Sequence, residues 1–268
     1  MKYQFGFIGC GNMGGALAQA VAKSVSPAKI ALCDTDINKA AALAEACGTA
    51  IETLEGIATE CAYIFLAVKP QGFEALFAQL RPMLAQRTER VVLISMAAGV
   101  SISAIEALAG EALPIIRIMP NTPVSVGEGM ILYSANTAVD GQEIDVFLSA
   151  LAHAGELNAL PEDKIDAASA LSGCGPAFVY LFAEALADGA VECGLGRAQA
   201  NLYAAQTLLG AAKLLLESGK HPGELKDAVC SPGGTTIAGV HALENGAFRA
   251  SAMNAVVAAY EKTLKLKK

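Results

Sequence analysis

The chain of 268 residues has no tryptophan, only 6% aromatic residues and little charge, with 26 acidic side chains against 19 basic ones. The formal net charge of -7 argues against a general attraction to nucleic acid or to an acidic membrane surface. We count no apolar run of the roughly 18 residues that a membrane span needs. A strand begins at once, so we expect no secretory leader. These absences predict a cytoplasmic protein without nucleic-acid or membrane partners.

Patterns that hold metals or form disulfides are also missing. The three histidines, His153, His221 and His241, are far apart, no C-x-x-C pair occurs, and the number of cysteines, seven, is odd. This spacing predicts neither a metal site nor a disulfide framework. We interpret the cysteines as reduced thiols that pack like small apolar residues. They are Cys10, Cys33, Cys47, Cys61, Cys174, Cys193 and Cys230.

Small apolar side chains are abundant, since hydrophobic residues make up 54% of the chain and many of them are alanine. Over residues 1–160, short apolar runs alternate with helical patterns, which predicts a parallel sheet covered by helices on both faces. After Pro161 the strand signals stop, and Ala- and Leu-rich helical patterns fill residues 161–268. The sequence thus predicts an α/β domain followed by an all-helical domain. The helical faces are too apolar for a lone small bundle, which favours self-association.

The same patterns predict individual elements. Gly48 is expected to end the helix that begins at Ile37, and Ser101 to cap a helix that runs to Ala109. Strands are expected at 3–8, 29–34, 63–68, 91–96, 115–119, 130–133 and 156–160. Helices are expected at 12–23, 37–47, 72–80, 101–109, 142–154, 175–193, 198–217, 222–230, 235–245 and 248–266.

A glycine turn directly after the first strand is the most informative motif. Its glycines, Gly9, Gly11 and Gly14, follow the pattern G-x-G-x-x-G. The first permits a tight turn, the second leaves the backbone open to a pyrophosphate, and the third lets the next helix press against the strand. That helix presents free N–H groups and a positive dipole end to phosphates. Standing between a strand and a helix, the motif predicts a Rossmann-type dinucleotide-binding domain over residues 1–160.

Ligands of an open parallel sheet bind beyond the carboxyl ends of its strands. The loops expected there, 9–14, 34–36, 67–70, 97–99 and 120–123, are small, polar or stiffened by proline. Asp34 stands twenty positions after Gly14, where a carboxylate takes the ribose hydroxyls of NAD, although a helix cap or turn would also use it. Asn38 and Lys39 could instead receive the 2′-phosphate of NADP. The sequence leaves NADH and NADPH open.

A second constellation lies between two predicted helices of the second half, at Ser231-Pro232-Gly233-Gly234-Thr235-Thr236. The proline stiffens the loop, the glycines bare the backbone, and a helix starts at about Thr235. Bare amides at a helix N-terminus form a receptor suited to a carboxylate, and the threonine hydroxyls can donate or accept. A plain helix–helix turn with a threonine cap would use the same residues.

Those residues also carry a family resemblance. The chain resembles the pyrroline-5-carboxylate reductases, enzymes of the last step of proline biosynthesis, along essentially its whole length. The most specific segment is 229–237, and Cys174 departs from the serine that relatives often carry. We expect that change to affect packing without loss of activity. The other matching segments are 7–14, 67–70, 97–100, 119–123, 171–177 and 221–227.

The resemblance implies reduction of 1-pyrroline-5-carboxylate to L-proline with NADPH or NADH. It also implies a helical dimerisation domain and a homodimer or a higher oligomer of dimers. By motif match, Ser231, Gly233, Gly234 and Thr235 would hold the substrate carboxylate, and Thr236, the catalytic residue, would bond the ring nitrogen. The predicted cofactor-binding residues are Gly9, Cys10, Gly11, Asn12, Met13, Gly14, Asp34, Ala67, Val68, Lys69, Pro70, Ala97, Ala98, Gly99, Asn121 and Thr122.

The residue inventory fits this chemistry on its own terms. A protonated cyclic imine is already electrophilic, and hydride attack removes its charge, so no oxyanion, catalytic histidine, cysteine or metal is required. Catalysis can then rest on orientation, which is worth roughly 7–11 kcal/mol at best. Lys69 is either an electrostatic contributor or a helix-cap or ion-pair residue.

Two other functions stay open on sequence alone. A β-hydroxyacid dehydrogenase shares a glycine turn and a helical second half, and its chemistry needs a base, for which Lys213 and Lys226 are candidates. The segments around those lysines do not match that class. A non-catalytic dinucleotide sensor would bind the cofactor, contact a protein partner through its helices and show no imine-dependent oxidation.

Overall fold

The computed structural model describes residues 1–266, which form two compact units. The first unit comprises Met1–Cys174 together with the end of the chain from Tyr260, and the second comprises Gly175–Ala259. The first combines a sheet with helices, whereas the described residues of the second are helical or in connecting turns. This agrees with the predicted α/β class and all-helical region.

An eight-stranded sheet forms the centre of the first unit. Its strands are β1 (Tyr3–Ile8), β2 (Ile30–Cys33), β3 (Ala50–Ile51), β4 (Cys61–Leu66), β5 (Val92–Ser95), β6 (Ile115–Met119), β7 (Gly129–Ala135) and β8 (Gly155–Ala159). They lie in the order β3-β2-β1-β4-β5-β6-β7-β8. Neighbouring strands are parallel except for β6 and β7, which are antiparallel. The carboxyl ends of β1, β2, β4, β5 and β6 therefore meet at one edge.

The antiparallel β7 departs from the parallel sheet that the alternating pattern predicts. It follows β6 through a short 3-10 turn, Thr122–Val126, and Gly127, which has the left-handed φ of +80°. A parallel neighbour needs a crossover of a dozen or more residues, so a connection this short permits only a reversal of direction.

Helices cover both faces of this sheet. They are α1 (Asn12–Ser24), α2 (Ile37–Cys47), α3 (Leu54–Glu60), α4 (Phe73–Leu84), α5 (Ile102–Ala109), α6 (Gly141–Ala150) and α7 (Glu162–Ser172). The two expected boundary signals are confirmed: Ser101 accepts a hydrogen bond from the amide of Ala104, and Gly48 has a left-handed φ of +68° after α2. Such caps satisfy backbone groups that a helix end leaves free.

The core of the first unit consists of two apolar clusters of buried side chains. One cluster joins Phe7 and Phe65, whose rings stack 4.4 Å apart, to Leu17 of α1 and Phe147 of α6. The other joins Ile64 of β4 to buried residues of α3, α4 and α5. Because successive strand residues point to opposite faces, neighbours on one strand such as Ile64 and Phe65 belong to different clusters.

Three elements of the first unit were not predicted: β3, α3 and α7. The first has only two residues, too few for any periodicity. For α7 the signal was present, since Pro161 precedes it and Glu162 and Asp163 stand in its first turn, a typical helix start. The helix packs against β6 and β7.

The second unit contains α8 (Gly175–Glu192), α9 (Arg197–Ser218), α10 (Pro222–Ala228) and α11 (Thr235–Asn245), and α12 (Phe248–Leu266) begins in it. The predicted bounds of α11 and α12 are confirmed. The buried hydrophobic residues of the second unit are Ala187, Ala200 and Ala204, whereas many of its large apolar side chains are exposed.

One stretch is long and apolar enough to cross a membrane by length and composition alone. It covers Glu162–Glu192 and contains an 18-residue window of mean hydropathy 1.4, of which 11% is buried within the single chain. Polar residues interrupt this window, so it qualifies although the chain has no uninterrupted apolar run of that length.

Candidate active site

The glycine turn joins the end of β1 to α1 in very little space. Gly9 has a φ of +105°, and a Cβ there would lie 2.7 Å from the carbonyl oxygen of Ala67. A Cβ on Gly14 would overlap the carbonyl oxygen of Gly9 and lie 2.8 Å from the Cβ of Ala67. These two positions therefore require glycine, because backbone and neighbouring strand leave no room for a side chain.

Gly11, in contrast, faces open space, since a Cβ there would meet no atom of the chain within 4 Å. It is the N-cap of α1, and no side chain among the described residues caps that helix end. Free amides and an open approach at a helix N-terminus are what a pyrophosphate needs. The residues at this turn thus fit a dinucleotide.

Asp34 fastens this turn to the end of β2. Its Oδ2 accepts a hydrogen bond of 2.6 Å from the amide of Cys10, and its Oδ1 accepts one of 2.8 Å from the amide of Asp36. Asp36 in turn caps α2 by accepting from the amide of Asn38. Asp34 therefore has the turn-forming role that the sequence left open, and its contact with a ribose stays a prediction.

A groove of about 430 Å³ runs beside the turn, between α1 and α2. Its lining includes Cys10, Gly11 and Asn12 from the turn, Lys39 from α2 and Ser125 from the turn after β6. Lys39 is exposed and lies 3.7 Å from a carboxylate oxygen of Asp36. The groove thus offers a cation beside the place where sequence analysis expects the adenosine end of the cofactor. A cavity of about 410 Å³ near Met1 and Arg87 has no such glycine turn.

The loops after β4 and β5 lie at the same carboxyl edge of the sheet as the glycine turn. The amide of Ala67 donates to the carbonyl of Ile8, which keeps this loop in register with β1. Lys69 is exposed and stands just before the 3-10 turn Pro70–Gly72, for which it is the N-cap residue without a side-chain hydrogen bond. After β5, Ala97 is buried and Gly99 has a φ of +76°.

Asn121 follows β6, and its side-chain amide is engaged within the protein. Its Oδ1 accepts a hydrogen bond of 2.8 Å from the amide of Met130, and its Nδ2 donates one of 2.9 Å to the carbonyl of Ser172. Asn121 thus ties β7 and the end of α7 to this edge, a role that sequence analysis missed because its partners are distant in sequence. Thr122 beside it is exposed.

In the second unit, the loop 231–236 leads into α11. Gly233 has a φ of +68°, and the amide of Gly234 donates to the carbonyl of Ser231 across the turn. Gly234 is the N-cap of α11 without a side-chain hydrogen bond among the described residues, and Thr235 and Thr236 in the first turn are exposed. The loop therefore presents a helix N-terminus and two hydroxyl groups to solvent, as a carboxylate receptor requires.

Comparisons with known proteins cover the whole chain. A reductase named pyrroline-5-carboxylate reductase 3 from Danio rerio is 42% identical over 267 residues, 99% of this chain and 92% of the relative. The pyrroline-5-carboxylate reductase of Escherichia coli strain K12 is 40% identical over 271 residues, 100% of both chains. The chain belongs to the pyrroline-5-carboxylate reductase family.

Two family models and two solved structures agree with this assignment. Residues 162–266 match a model described as pyrroline-5-carboxylate reductase dimerisation, and residues 4–99 match one described as NADP oxidoreductase, coenzyme F420-dependent. The reductase of Coxiella burnetii has a TM-score of 0.91 at 33% identity, and that of Plasmodium falciparum, with NADP bound, has 0.87 at 32%. Both matches cover 100% of each chain.

The competing dehydrogenase class shares only the fold with this reductase. A 3-hydroxyisobutyrate dehydrogenase from Mycobacterium tuberculosis has a TM-score of 0.52 at 13% identity. The candidate base Lys226 lies 2.5 Å from the carboxylate of Asp227, whose hydrogen bond raises the pKa of this lysine. A general base needs a pKa lowered toward neutrality, so Lys226 is poorly suited to that role. Lys213 is exposed and lies 3.7 Å from Glu217.

The thiol in the glycine turn of this reductase is not an ionised nucleophile. Burial, reinforced by the negative charge of Asp34, raises the pKa of Cys10 to about 12. The thiol therefore stays protonated at neutral pH and packs as an apolar group. Among residues 1–266, no group of three or more His, Cys, Asp or Glu side chains is placed to hold a metal ion.

Proposed function

We propose that this chain reduces 1-pyrroline-5-carboxylate to L-proline, with NADPH or NADH as the hydride donor. Full-length identity of about 40% to reductases of that name supports the proposal. The observation that carries it is the uncapped N-terminus of α11 behind Gly233 and Gly234, because a carboxylate receptor is what this substrate needs.

The proposed substrate contacts begin with the carboxylate. It accepts hydrogen bonds from the loop formed by Ser231, Gly233, Gly234 and Thr235, where the positive end of the α11 dipole favours an anion. Thr236, one residue further into the helix, presents its hydroxyl to the ring nitrogen. These contacts fix the ring at two points, so that one face of the C=N bond is offered for attack.

The reaction needs few side chains. When bound, the nicotinamide cofactor would supply a hydride to the imine carbon, and the C=N π electrons would pass to the protonated nitrogen. No negative charge develops on the substrate, so the residues act by holding and orienting it. Thr236 keeps its hydrogen bond to the nitrogen as that atom changes from iminium to amine.

We place the cofactor along the carboxyl edge of the sheet in the first unit. The pyrophosphate meets the glycine turn, Gly9 to Gly14. The loop 67–70 lines the cofactor groove, and the loops 97–99 and 121–122 line its nicotinamide side. Asp34 orients the turn through the amide of Cys10. Lys39, the exposed cation of the neighbouring groove, is suited to a 2′-phosphate, and the carboxylate of Asp36 beside it opposes one.

The working form is a homodimer or an oligomer of dimers. Residues 162–266 match a dimerisation family, and exposed apolar side chains fill the helical unit. A second copy, rather than lipid, then covers the exposed apolar side chains of α8, the second helix of the stretch 162–192. The start of that match also supports a functional boundary between residues 160 and 161, as the sequence predicts. The seven free cysteines suit a reducing cytoplasm.

Thr236 provides the sharpest test of this function. Thr236→Ala removes one hydrogen bond to the reacting ring, so kcat/KM for the imine should fall by roughly ten- to a hundred-fold. The Kd of NADPH should not change, and Thr236→Ser should restore most of the activity. Thr59→Ala is the control, because this exposed threonine bonds only the carbonyl of Glu55 in its own helix.

The assay follows reduced nicotinamide by absorbance with pyrroline-5-carboxylate, and in parallel follows NAD(P) reduction with a 3-hydroxy acid. Unchanged kcat/KM in Thr236→Ala would remove this hydroxyl from the mechanism. Cofactor binding without imine-dependent oxidation by the unmodified enzyme would overturn the reductase and favour a sensor. Turnover of the 3-hydroxy acid alone would favour the other dehydrogenase class.

A further inference from the structure

A partly buried ion-pair cluster lies beneath the carboxyl edge of the sheet. Arg117 of β6 is only 3% exposed, and its Nη2 lies 2.8 Å from Oδ1 of Asp166, which is 2% exposed. Its Nη1 lies 3.1 Å from Oε1 of Glu162, whose side chain is 31% exposed. Removing charges from water is costly, and apolar residues of similar volume often serve stability as well or better. The cluster is therefore better explained by the positions that it fixes than by the stability that it adds.

Glu162 is bound on a second side by the start of another helix. The same Oε1 accepts a hydrogen bond of 2.7 Å from the amide of Ile102, the first residue of α5. That amide has no partner within its own helix, so a carboxylate sixty positions later caps it. Since Glu162 also stands at the start of α7, one anion faces the positive dipole ends of two helices.

The hydrogen bond between Ile102 and Glu162 holds a loop that forms part of the proposed cofactor site. The residues between β5 and α5 include Ala97, Ala98 and Gly99, the proposed wall on the nicotinamide side. At its beginning the loop is held by β5, and the amide of Ala97 lies 3.4 Å from Oγ of Ser95. At its end, the hydrogen bond from Ile102 to Glu162 fixes where α5 begins.

The other end of α7 is tied to the same edge. Asn121 donates to the carbonyl of Ser172, the last residue of α7. Arg117 and Asn121 stand on the two sides of Met119-Pro120, so one segment of chain holds this helix at both ends. With both ends of α7 fixed, Glu162 is a rigid partner for the loop.

We propose that Glu162, oriented by Arg117, is a positioning residue for hydride transfer. This inference rests on the proposed function. Through the amide of Ile102, Glu162 sets the position of loop 97–101 and hence the placement of the nicotinamide. It touches neither substrate nor cofactor. Its loss should slow the hydride step while leaving the glycine turn, and most of the affinity for NADPH, unchanged.

The test compares three variants of the full-length enzyme. Glu162→Ala removes the acceptor, whereas Glu162→Gln keeps an amide oxygen that can accept from both Ile102 and Arg117. Asp163→Ala is the matched control, since Asp163 lies in the same first turn, is exposed and pairs only with its neighbour Lys164. The readouts are kcat, KM for NADPH, and the isotope effect with NADPH deuterated at the transferred position. A further readout is hydrogen exchange of segment 97–105 in the cofactor-free protein.

Glu162→Ala should lower kcat about tenfold, the cost of one charge-assisted hydrogen bond, with KM for NADPH within about twofold of the unmodified enzyme. The isotope effect should rise because the hydride step becomes slower than its neighbours. Segment 97–105 should exchange about tenfold faster. Glu162→Gln should recover most of each property, and Asp163→Ala should match the unmodified enzyme.

Exchange and kcat that are unchanged in Glu162→Ala would overturn the inference, as would an equal loss in Asp163→Ala. A rise in KM without a change in kcat or in the isotope effect would assign Glu162 to cofactor binding and also overturn it. Absence of imine turnover in the unmodified enzyme would instead contradict the proposed function. The exchange comparison, which needs no substrate, would still decide whether Glu162 holds the loop.

Discussion

The two compact units solve the same problem of burying apolar surface in different ways. In the first unit, buried residues such as Phe7, Phe65 and Ile64 come from a sheet that its own helices cover on both faces. In the second unit the buried hydrophobic residues are three alanines. Many of its large apolar side chains are exposed, among them Leu181, Tyr180 and Leu202. The first unit buries its own core, whereas the second exposes apolar side chains that a partner would cover.

The largest predicted effect concerns the exposed apolar side chains of the second unit. Leu181 is 68% exposed and lines an apolar groove of about 440 Å³ with Phe178, Phe182 and Phe248. Leu181→Asp should weaken association by about 4 kcal/mol per dimer, because two leucines lose roughly 2 kcal/mol of burial each. Sedimentation would detect this as a Kd for dimerisation that rises roughly a thousandfold.

Ile37→Asp is the control for that experiment. Ile37 is similarly exposed, at 60%, but belongs to α2 of the first unit. The oligomeric state should not change in this variant. Dimers of normal strength in Leu181→Asp would show that this part of the helical face is not the one that a partner covers.

The closed packing of the first unit predicts the next effect. Gly14→Ala would place a methyl group against the carbonyl oxygen of Gly9, so we expect a loss of about 3 kcal/mol of unfolding free energy. In Gly11→Ala the added methyl group meets open space, so stability should not change. The affinity for NADPH should fall, because the methyl group lies where the cofactor would approach the backbone. Urea denaturation and NADPH titration separate the two. Equal stability of both variants would contradict the close approach described for α1.

The smallest predicted effect concerns the pH dependence of the first unit. Burial raises the pKa of Cys61, which is fully inaccessible to solvent, to about 12. An unfolded chain ionises this thiol near its ordinary pKa of roughly 8.5. The contribution of Cys61 to stability is therefore complete below that pH and is lost as the pH rises toward 12.

At pH 10 this loss should be about 2 kcal/mol. Urea denaturation of the unmodified enzyme and of Cys61→Ala, at pH 7.5 and pH 10, measures it as the difference between the two pH dependences. The same pH dependence in both proteins would mean that Cys61 does not contribute. In Leu181→Asp the effect should persist, because Cys61 is covered by its own unit rather than by a partner.

Much of the local geometry at the carboxyl edge of the sheet could be predicted because its signals are local. Gly9, Gly11 and Gly14 lie within six positions: Gly9 has a positive φ of +105°, Gly11 leaves an opening, and Gly14 lies against the carbonyl of Gly9. Ser101 and Gly48 are also readable, since a helix end is decided by its neighbours in the chain. The motif at 229–237 identified the family for the same reason.

The holding contacts of the site could not be predicted from the sequence. Glu162 meets Arg117 across 45 positions and the amide of Ile102 across 60, and Asn121 meets Ser172 across 51. No periodicity records such pairs, because they depend on which strands are neighbours in the sheet. The reversal of β7, in contrast, could have been inferred from the sequence, because the connection between the expected strands 115–119 and 130–133 is too short for a crossover.

The sequence alone determined the fold class, because strand and helix patterns alternate along residues 1–160. It also determined the glycine turn and the loop before α11, because each of these depends on a short stretch of chain. Only the tertiary structure decided that Asp34 holds the turn, that Asn121 joins two elements and that Glu162 caps a distant helix. Side chains with several possible partners are assigned by the neighbours that folding brings to them, and those neighbours are set by the packing of the whole unit.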